Sequence, residues 1–454
     1  MGSVYKMAKR NEEKNTEIEV SIDNLGINGE GVARWNGKAV FIKNALVGER
    51  VKAKIIFSKP SFCYAIVTER LTVSKDRTKP RCKNYGKCGG CNLQHLSYEA
   101  QLEYKRRLVS DAIERIGGLK IEVNPTVASQ KQFGYRNKMS LPVRDRNGEA
   151  VIGLFAENSH RVVECDNCLL QPAWNSKIID LFKAFLKKSR YTAYSDESKK
   201  GDIRHLVVRE VEGALYVTVV ATKVAKLDVF DKMLASEFNS YALYLNVNKS
   251  ENNVILGSEW RCVNRVNIPE KVEGLFTEIH PAGFFQVNDY IRNKLYQEVV
   301  KSISKAECEV IIDAYSGAGI MSASLARHAK KAYAIEINEQ AHASAVELVK
   351  NNGITNLTPV CGDVKNEIGR ILSDNIGYRT AVVLDPPRSG CDKTVLETIN
   401  DCDISALVYV SCNPATLARD LKILSEKYDI QSVTPCDMFP QTSNVETIVC
   451  LHKR

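Results

Sequence analysis

The chain has 454 residues, 44% hydrophobic and 26% charged, an ordinary globular composition that excludes wholesale disorder and allows about three domains. Residues 1–145 hold 27 basic and 15 acidic side chains, so the net charge of +9 arises in the first third, as expected of a polyanion-binding front end on a catalytic body; a lysine-rich solvated surface is the plainer alternative. No apolar run approaches the ~18 residues of a membrane span and the N-terminus lacks the apolar core of a secretory signal. A cytosolic protein is expected, whose 14 cysteines serve as thiols, metal ligands or catalysts rather than as a disulfide framework.

After a flexible tail expected over residues 1–12, residues 17–72 read as short strands. Ile18, Val20 and Ile22 alternate with polar residues, the period-2 signal of a half-buried strand. Apolar runs at 38–42, 50–56 and 64–67 are separated by turn glycines at Gly26, Gly29, Gly31, Gly37 and Gly48. So many short strands in so few residues predict a small barrel. Its spacing resembles the TRAM domain, an oligonucleotide/oligosaccharide-binding-like barrel found on RNA-modifying enzymes.

Cys82, Cys88 and Cys91 then form a C-x5-C-x2-C run, with Gly86, Gly89 and Gly90 among them. The glycines allow the tight backbone that brings several sulfurs to one centre. Three thiolates call for a fourth, and Cys165 and Cys168 are the next candidates downstream. A site of four thiolates also suits zinc, and three buried structural cysteines remain the plain alternative. The spacing differs from the C-x3-C-x2-C of radical S-adenosylmethionine enzymes.

Residues 98–116 carry a helical apolar stripe through Leu102, Leu108, Val109, Ala112, Ile113 and Ile116. Residues 130–280 mix strands and helices, with a hairpin predicted across Glu212-Gly213 between strands at 203–209 and 215–220. From about 290 the pattern alternates: helix 289–304, strand 309–314, helix 319–329, strand 332–336, helix 338–352, and later strands at 381–384 and 406–411. This predicts a parallel sheet with helices on both faces.

Three motifs sit at the ends of those strands. Val310–Asp313 runs into Ala314-Tyr315-Ser316-Gly317-Ala318-Gly319, a strand, glycine turn and helix that let backbone approach a ligand. The second strand ends on Glu336, placed to accept both hydroxyls of a ribose, and Asp363 is the next strand-end acid. NAD fits such a site in outline, but the full G-x-G-x-x-G is missing; Gly-x-Gly with the later motifs favours S-adenosylmethionine. Asp385-Pro386-Pro387-Arg388 has arginine where amino-group methyltransferases carry an aromatic ring, which points to a carbon or other acceptor. Cys412, in Ser411-Cys412-Asn413-Pro414, closes a strand where ligands bind and is placed as a nucleophile; a buried structural thiol is the alternative.

Together DPPRSG at 385–390, SCNPATLARD at 411–420, GFFQVN at 283–288 and C-x5-C-x2-C resemble the RNA uracil-5-methyltransferase family, and the barrel and cysteine run are most similar to its bacterial 23S rRNA members. The resemblance implies a Rossmann-like α/β methyltransferase domain (95–127 and 280–454), a TRAM barrel (13–72) and a central α+β iron–sulfur domain (73–94 and 128–279). It implies Cys412 as the nucleophile, Glu446 of Ser443-Asn444-Val445-Glu446-Thr447 as the general base, and donor contacts from Gln286, Tyr315, Glu336, Asp363 and Asp385. It implies a [4Fe-4S] cluster on Cys82, Cys88, Cys91 and Cys168; Cys168 is preferred to Cys165 because it directly precedes Leu169-Leu170. Arg388 and Phe284 or Phe285 stand to hold the base or its backbone, or else only to pack. A monomer acting on 23S rRNA is expected, with a tRNA uracil-5-methyltransferase as the nearest alternative. A non-catalytic RNA binder would lack Cys412 or Glu446, and a DNA cytosine-5-methyltransferase would show Pro-Cys in place of Ser411-Cys412.

Overall fold

The computed structural model describes residues 13–454; the tail expected at 1–12 lies outside them. Two compact units emerge, one comprising residues up to Gly86 with 91–104 and 441–444, the other comprising 87–90, 105–440 and 445–454.

The first unit is built on β1 (Glu17–Ser21), β2 (Asn24–Leu25), β3 (Gly31–Trp35), β4 (Lys38–Lys43), β5 (Arg50–Ser58) and β6 (Phe62–Arg70), in the sheet order β1-β5-β6-β4-β3-β2. Alternation decides which side chains go inside. Ile18, Val20, Val40, Ile42, Val51, Ala53 and Ile55 form one buried cluster, while charged residues between them stay in water. The pairings are antiparallel except β4 with β6, which run parallel. In the same unit Asn92 clasps Ser443, donating from Nδ2 to its Oγ at 2.9 Å and accepting its N–H at 2.8 Å.

The helix expected at 98–116 is α1 (Tyr98–Ala112), which widens into a π turn over Ile113–Gly117. Gly118, at φ 69°, ends it in the left-handed conformation, a common helix stop.

The second unit holds two seven-stranded sheets. The first comprises β7 (Lys138–Arg146), β8 (Glu149–Phe155), β9 (Val162–Glu164), β10 (Ile203–Val211), β11 (Ala214–Ala221), β12 (Tyr241–Val247) and β13 (Glu259–Val266), with α2 (Trp174–Ser189) and α3 (Asp228–Ala235) packed on one face. The hairpin expected at Glu212-Gly213 joins β10 to β11, both turn residues at positive φ (48° and 79°), as a type I′ turn requires. A short pair, β14 (Lys271–Val272) and β15 (Leu275–Phe276), follows.

The second sheet begins after α4 (Asp289–Lys305). In chain order come β16 (Val310–Ala314), α5 (Ile320–Ala326), β17 (Lys331–Glu336), α6 (Glu339–Asn351), β18 (Leu357–Cys361), α7 (Val364–Ser373), β19 (Thr380–Leu384), α8 (Lys393–Asp401), β20 (Ile404–Ser411), α9 (Pro414–Leu424), β21 (Tyr428–Cys436) and β22 (Glu446–Lys453). The order is β18-β17-β16-β19-β20-β22-β21. The first five strands are parallel, and β16 and β19 are buried on both faces without one exposed residue, hence their continuous apolar text. The parallel sheet expected from sequence is therefore mixed, because β22 runs antiparallel to β20 and β21 antiparallel to β22.

Among the described residues no helix is long and apolar enough to cross a membrane. Nor does any group of three or more His, Cys, Asp or Glu among them stand placed to hold a metal ion. The central α+β region is thus present as a sheet with two helices, but its expected iron–sulfur character is not shown.

Candidate active site

The strand order reverses between β16 and β19, and ligands of open α/β sheets bind beyond the carboxyl ends at such a switch point. The predicted residues gather there. Tyr315 follows β16, Glu336 ends β17, Asp363 follows β18, Asp385 follows β19 and Cys412 follows β20.

Tyr315 turns the chain at φ 87°, a conformation that costs a non-glycine residue of order 1–3 kcal/mol and needs its surroundings to hold it. Its N–H and that of Ser316 donate to the Ile335 carbonyl at 3.1 and 2.9 Å, which fixes the turn against β17. Gly319 caps α5 at φ 80°, where a Cβ would lie 3.0 Å from that of Ala345. The Glu336 carboxylate accepts the N–H of Gly317 at 2.9 Å and of Asn338 at 2.7 Å, so the acid is oriented before any ligand arrives. Asp363 caps α7, accepting the Lys365 N–H at 3.1 Å. Gln286 is buried just before α4, its carbonyl accepting from Asn137 Nδ2 at 3.0 Å.

Asp313, inside β16, carries a feature that sequence reading missed. Ser322 donates to its Oδ2 at 2.5 Å, and its Oδ1 is buried without a partner. Burial pushes its carboxyl up to about 7, with the Glu336 charge adding to the shift. Asp385 is likewise pushed up to about 7, by burial and by Asp313. The two acids face each other electrostatically beneath the switch point. A buried, orphaned acceptor among carboxylates suits a cationic ligand.

Cys412 and Glu446 come from sequence positions far apart but from paired strands. Ser411 with Thr447 is the last pair of the β20–β22 register, and Cys412 and Glu446 are the next residues beyond it, close enough to act on each other electrostatically. Burial drives the Cys412 thiol above its usual range; the carboxylates of Glu446 and Asp385 add to this and the Arg388 guanidinium opposes it. Glu446 is only 3% exposed, and burial raises its carboxyl well above the usual range, Asp385 contributing and Arg388 opposing. A half-buried thiol and a buried carboxyl of raised basicity therefore act on each other electrostatically beside the acids of the switch point, with the exposed Arg388 opposing both shifts.

Two family models match the chain. One, described as tRNA (Uracil-5-)-methyltransferase, covers residues 97–454; the other, TRAM domain, covers 11–68. The chain belongs to the RNA uracil-5-methyltransferase family. An uncharacterized RNA methyltransferase of Clostridium acetobutylicum is 38% identical over 450 residues, 97% of this chain and 98% of the relative. Another from Listeria innocua is 36% identical, across 96% and 98%. Among solved structures, the tRNA (uracil-54, C5)-methyltransferase of Pyrococcus abyssi, in complex with S-adenosyl-L-homocysteine, superposes with a TM-score of 0.75 at 28% identity, covering 95% of this chain and 99% of that one. The protein is thus an RNA methyltransferase with a TRAM domain and the fold of S-adenosylmethionine-dependent methyltransferases.

The remaining predicted residues of this family member separate by exposure. Phe285 is buried in an apolar cluster with the Arg292 guanidinium 4.3 Å from its ring centroid, so it packs. Phe284 is 75% exposed. Arg388 is exposed, and its carbonyl accepts from Asn413 Nδ2 at 3.0 Å. Cys82, Cys88, Cys91 and Cys168 are all half-buried thiols, whereas Cys165 is buried. The Gly90 N–H donates to Cys88 Sγ at 3.3 Å, and Asn175 Oδ1 accepts the Cys168 N–H at 2.8 Å.

Proposed function

We propose that this protein methylates C5 of a uridine in 23S rRNA, with Cys412 as nucleophile and Glu446 as general base. The observation that supports this reading is that Cys412 and Glu446 are the residues just beyond the last β20–β22 pair and act on each other electrostatically, with the Glu446 carboxyl buried and of raised basicity. C5 of uracil is too weak a nucleophile to react unaided. Addition of the Cys412 thiolate to C6 breaks the 5,6 double bond and leaves an enolate whose C5 is nucleophilic. S-adenosylmethionine, when bound, supplies an electrophilic methyl group at its sulfonium. Glu446 then takes the proton from C5, the double bond re-forms and the thiolate leaves C6. A carboxyl of raised basicity suits that step. Arg388 offsets negative charge on Cys412 and Glu446, while exposed Phe284 offers a ring to a base taken out of its stack, which costs about a few kcal/mol.

The donor contacts proposed are Gln286, Tyr315, Glu336, Asp363 and Asp385. Glu336, already held by two backbone N–H groups, presents its outer face to a ribose, and the orphaned Oδ1 of Asp313 and the Asp385 carboxyl favour a cationic donor. A monomer in the cytoplasm is the proposed working form. A [4Fe-4S] cluster on Cys82, Cys88, Cys91 and Cys168 is proposed from the family resemblance and the glycine-rich C-x5-C-x2-C spacing of the first three. It would serve structure or RNA shaping, since methyl transfer from a sulfonium moves no net electrons.

A tRNA substrate is the second reading, favoured by the Pyrococcus abyssi structure, whose match extends over 95% of this chain and so leaves the barrel unable to discriminate. Mass spectrometry of rRNA and tRNA from cells lacking the gene decides: 5-methyluridine missing from 23S rRNA alone supports the first reading, and from tRNA alone the second.

A further inference from the structure

Asp420, in the second turn of α9, is fully buried yet takes part in three hydrogen bonds. It accepts from the Tyr409 hydroxyl at 2.6 Å, from the Cys391 N–H at 2.9 Å and from Arg419 Nε at 2.7 Å. Arg419 in turn donates from Nη2 to the carbonyls of Ser389 and Cys391, both at 3.1 Å. Two more donors from the start of the same helix hold the loop: Asn413 Nδ2 and Thr416 Oγ1 reach the Arg388 carbonyl at 3.0 and 3.3 Å. Gly390, at φ +78°, lies so close that a Cβ would fall 2.5 Å from Arg419 Nη2 and 2.7 Å from Asp420 Oδ2. The loop that carries Arg388 is thus fastened, carbonyl by carbonyl, to the helix that begins two residues after Cys412.

We propose that Arg419 and Asp420 form a clamp that positions Arg388 over Cys412 and Glu446, making Arg419 a positioning residue for the reaction. Burial pushes the Cys391 thiol up, with the Tyr409 and Tyr315 hydroxyls opposing, and Tyr315 turns the chain at φ 87°. One connected set of hydrogen bonds therefore ties the cation loop to the nucleophile helix and to Tyr409 of β20. The proposal rests on the reading of Cys412 as the reacting thiol, but it can be tested without RNA.

The groups facing Cys412 are Glu446 from β22 and Asp385 and Arg388 from the loop after β19. Of these only Arg388 favours the thiolate, so displacing it raises the pH at which Cys412 ionises. The test is the pH profile of Cys412 alkylation by iodoacetamide, followed on its own peptide by mass spectrometry, together with hydrogen exchange of the 386–392 peptide. About half of the Arg419 side chain is exposed, so R419Q is expected to fold. It should speed exchange of the loop and move the Cys412 profile upward by about half a pH unit or more, as R388Q does. The double variant R388Q/R419Q should shift no further than R388Q alone, because both act through one guanidinium. T416V, which removes one donor to the Arg388 carbonyl, should give a smaller shift in the same direction and serves if R419Q unfolds. An unmoved profile in R419Q and T416V, or shifts that add in the double variant, would overturn the clamp. Methyl transfer persisting in C412A would instead overturn the functional reading.

Discussion

Replacing Asp313 by asparagine should stabilise the protein and flatten the dependence of its stability on pH. The Asp313 carboxyl is pushed from 3.8 up to about 7 in the folded chain. Between those values the folded state holds a proton that the unfolded state has released, so stability falls as pH rises. The loss approaches about 1.4 kcal/mol per pH unit and plateaus above the folded value, at about 4 kcal/mol if the full shift of about three units is realised. Relaxation and water entry reduce that figure, and a gain of about 1–3 kcal/mol for Asp313→Asn at pH 8 is expected. Asparagine still accepts the Ser322 hydroxyl, so the packing reason for the site survives. Asp313 also raises Asp385, so the substitution should lower Asp385. Urea denaturation at pH 5, 6, 7 and 8 measures the effect. Parallel pH slopes for the two proteins, or a variant less stable at pH 8, would refute the reasoning. The same logic predicts that S-adenosylmethionine, a cation, binds the wild type more tightly at pH 8 than at pH 6, since it favours the ionised pair.

Other expectations concern the chemistry and the RNA. Cys412→Ala should abolish methyl transfer while gel-shift affinity for RNA stays within about threefold. Glu446→Gln should accumulate a covalent, already methylated RNA adduct visible on denaturing gels, because methyl transfer precedes proton removal; an enzyme that turns over normally without the carboxyl contradicts this. Protein purified without oxygen should contain about four irons and acid-labile sulfide, whereas stoichiometric zinc without sulfide would reject the cluster. Neutralising Lys54 and Lys59 on the TRAM unit should weaken RNA binding and flatten the log–log salt dependence by about one unit for each phosphate no longer neutralised; an unchanged slope would remove the unit from the RNA-binding surface.

Some of this molecule is written in local text and some is not. Val310–Ala314, Lys331–Glu336 and Thr380–Leu384 are short apolar runs between helices, several of which open on a capping residue such as Asn338 or Asp392, so the βα alternation and its strand-end acids could be read from spacing. Strand β12 could not. All its residues are buried, which erases the alternation that marks a strand, and it pairs in parallel with β11 across an intervening helix. Strand β22 escaped for a similar reason, and with it the physical link between Cys412 and Glu446. That link is a register between distant chain positions, so only family resemblance brought the two residues together beforehand. The Arg419–Asp420 clamp acts on a loop far upstream in the chain, and its hydrogen bonds to main-chain carbonyls leave no residue pattern. Asp313 sits in a strand whose sequence motif pointed only to backbone approach at the glycine turn; a lone acid in an otherwise apolar run was the available sign.

The central claim is tested most directly with RNA whose uridines carry tritium at C5, incubated with the protein and S-adenosylmethionine. Addition of Cys412 to C6, methylation and proton abstraction by Glu446 predict one tritium released to water for each methyl group incorporated, the product being 5-methyluridine, and neither event in Cys412→Ala. Methyl incorporation with full retention of tritium would place the methyl group elsewhere on the RNA and contradict the account.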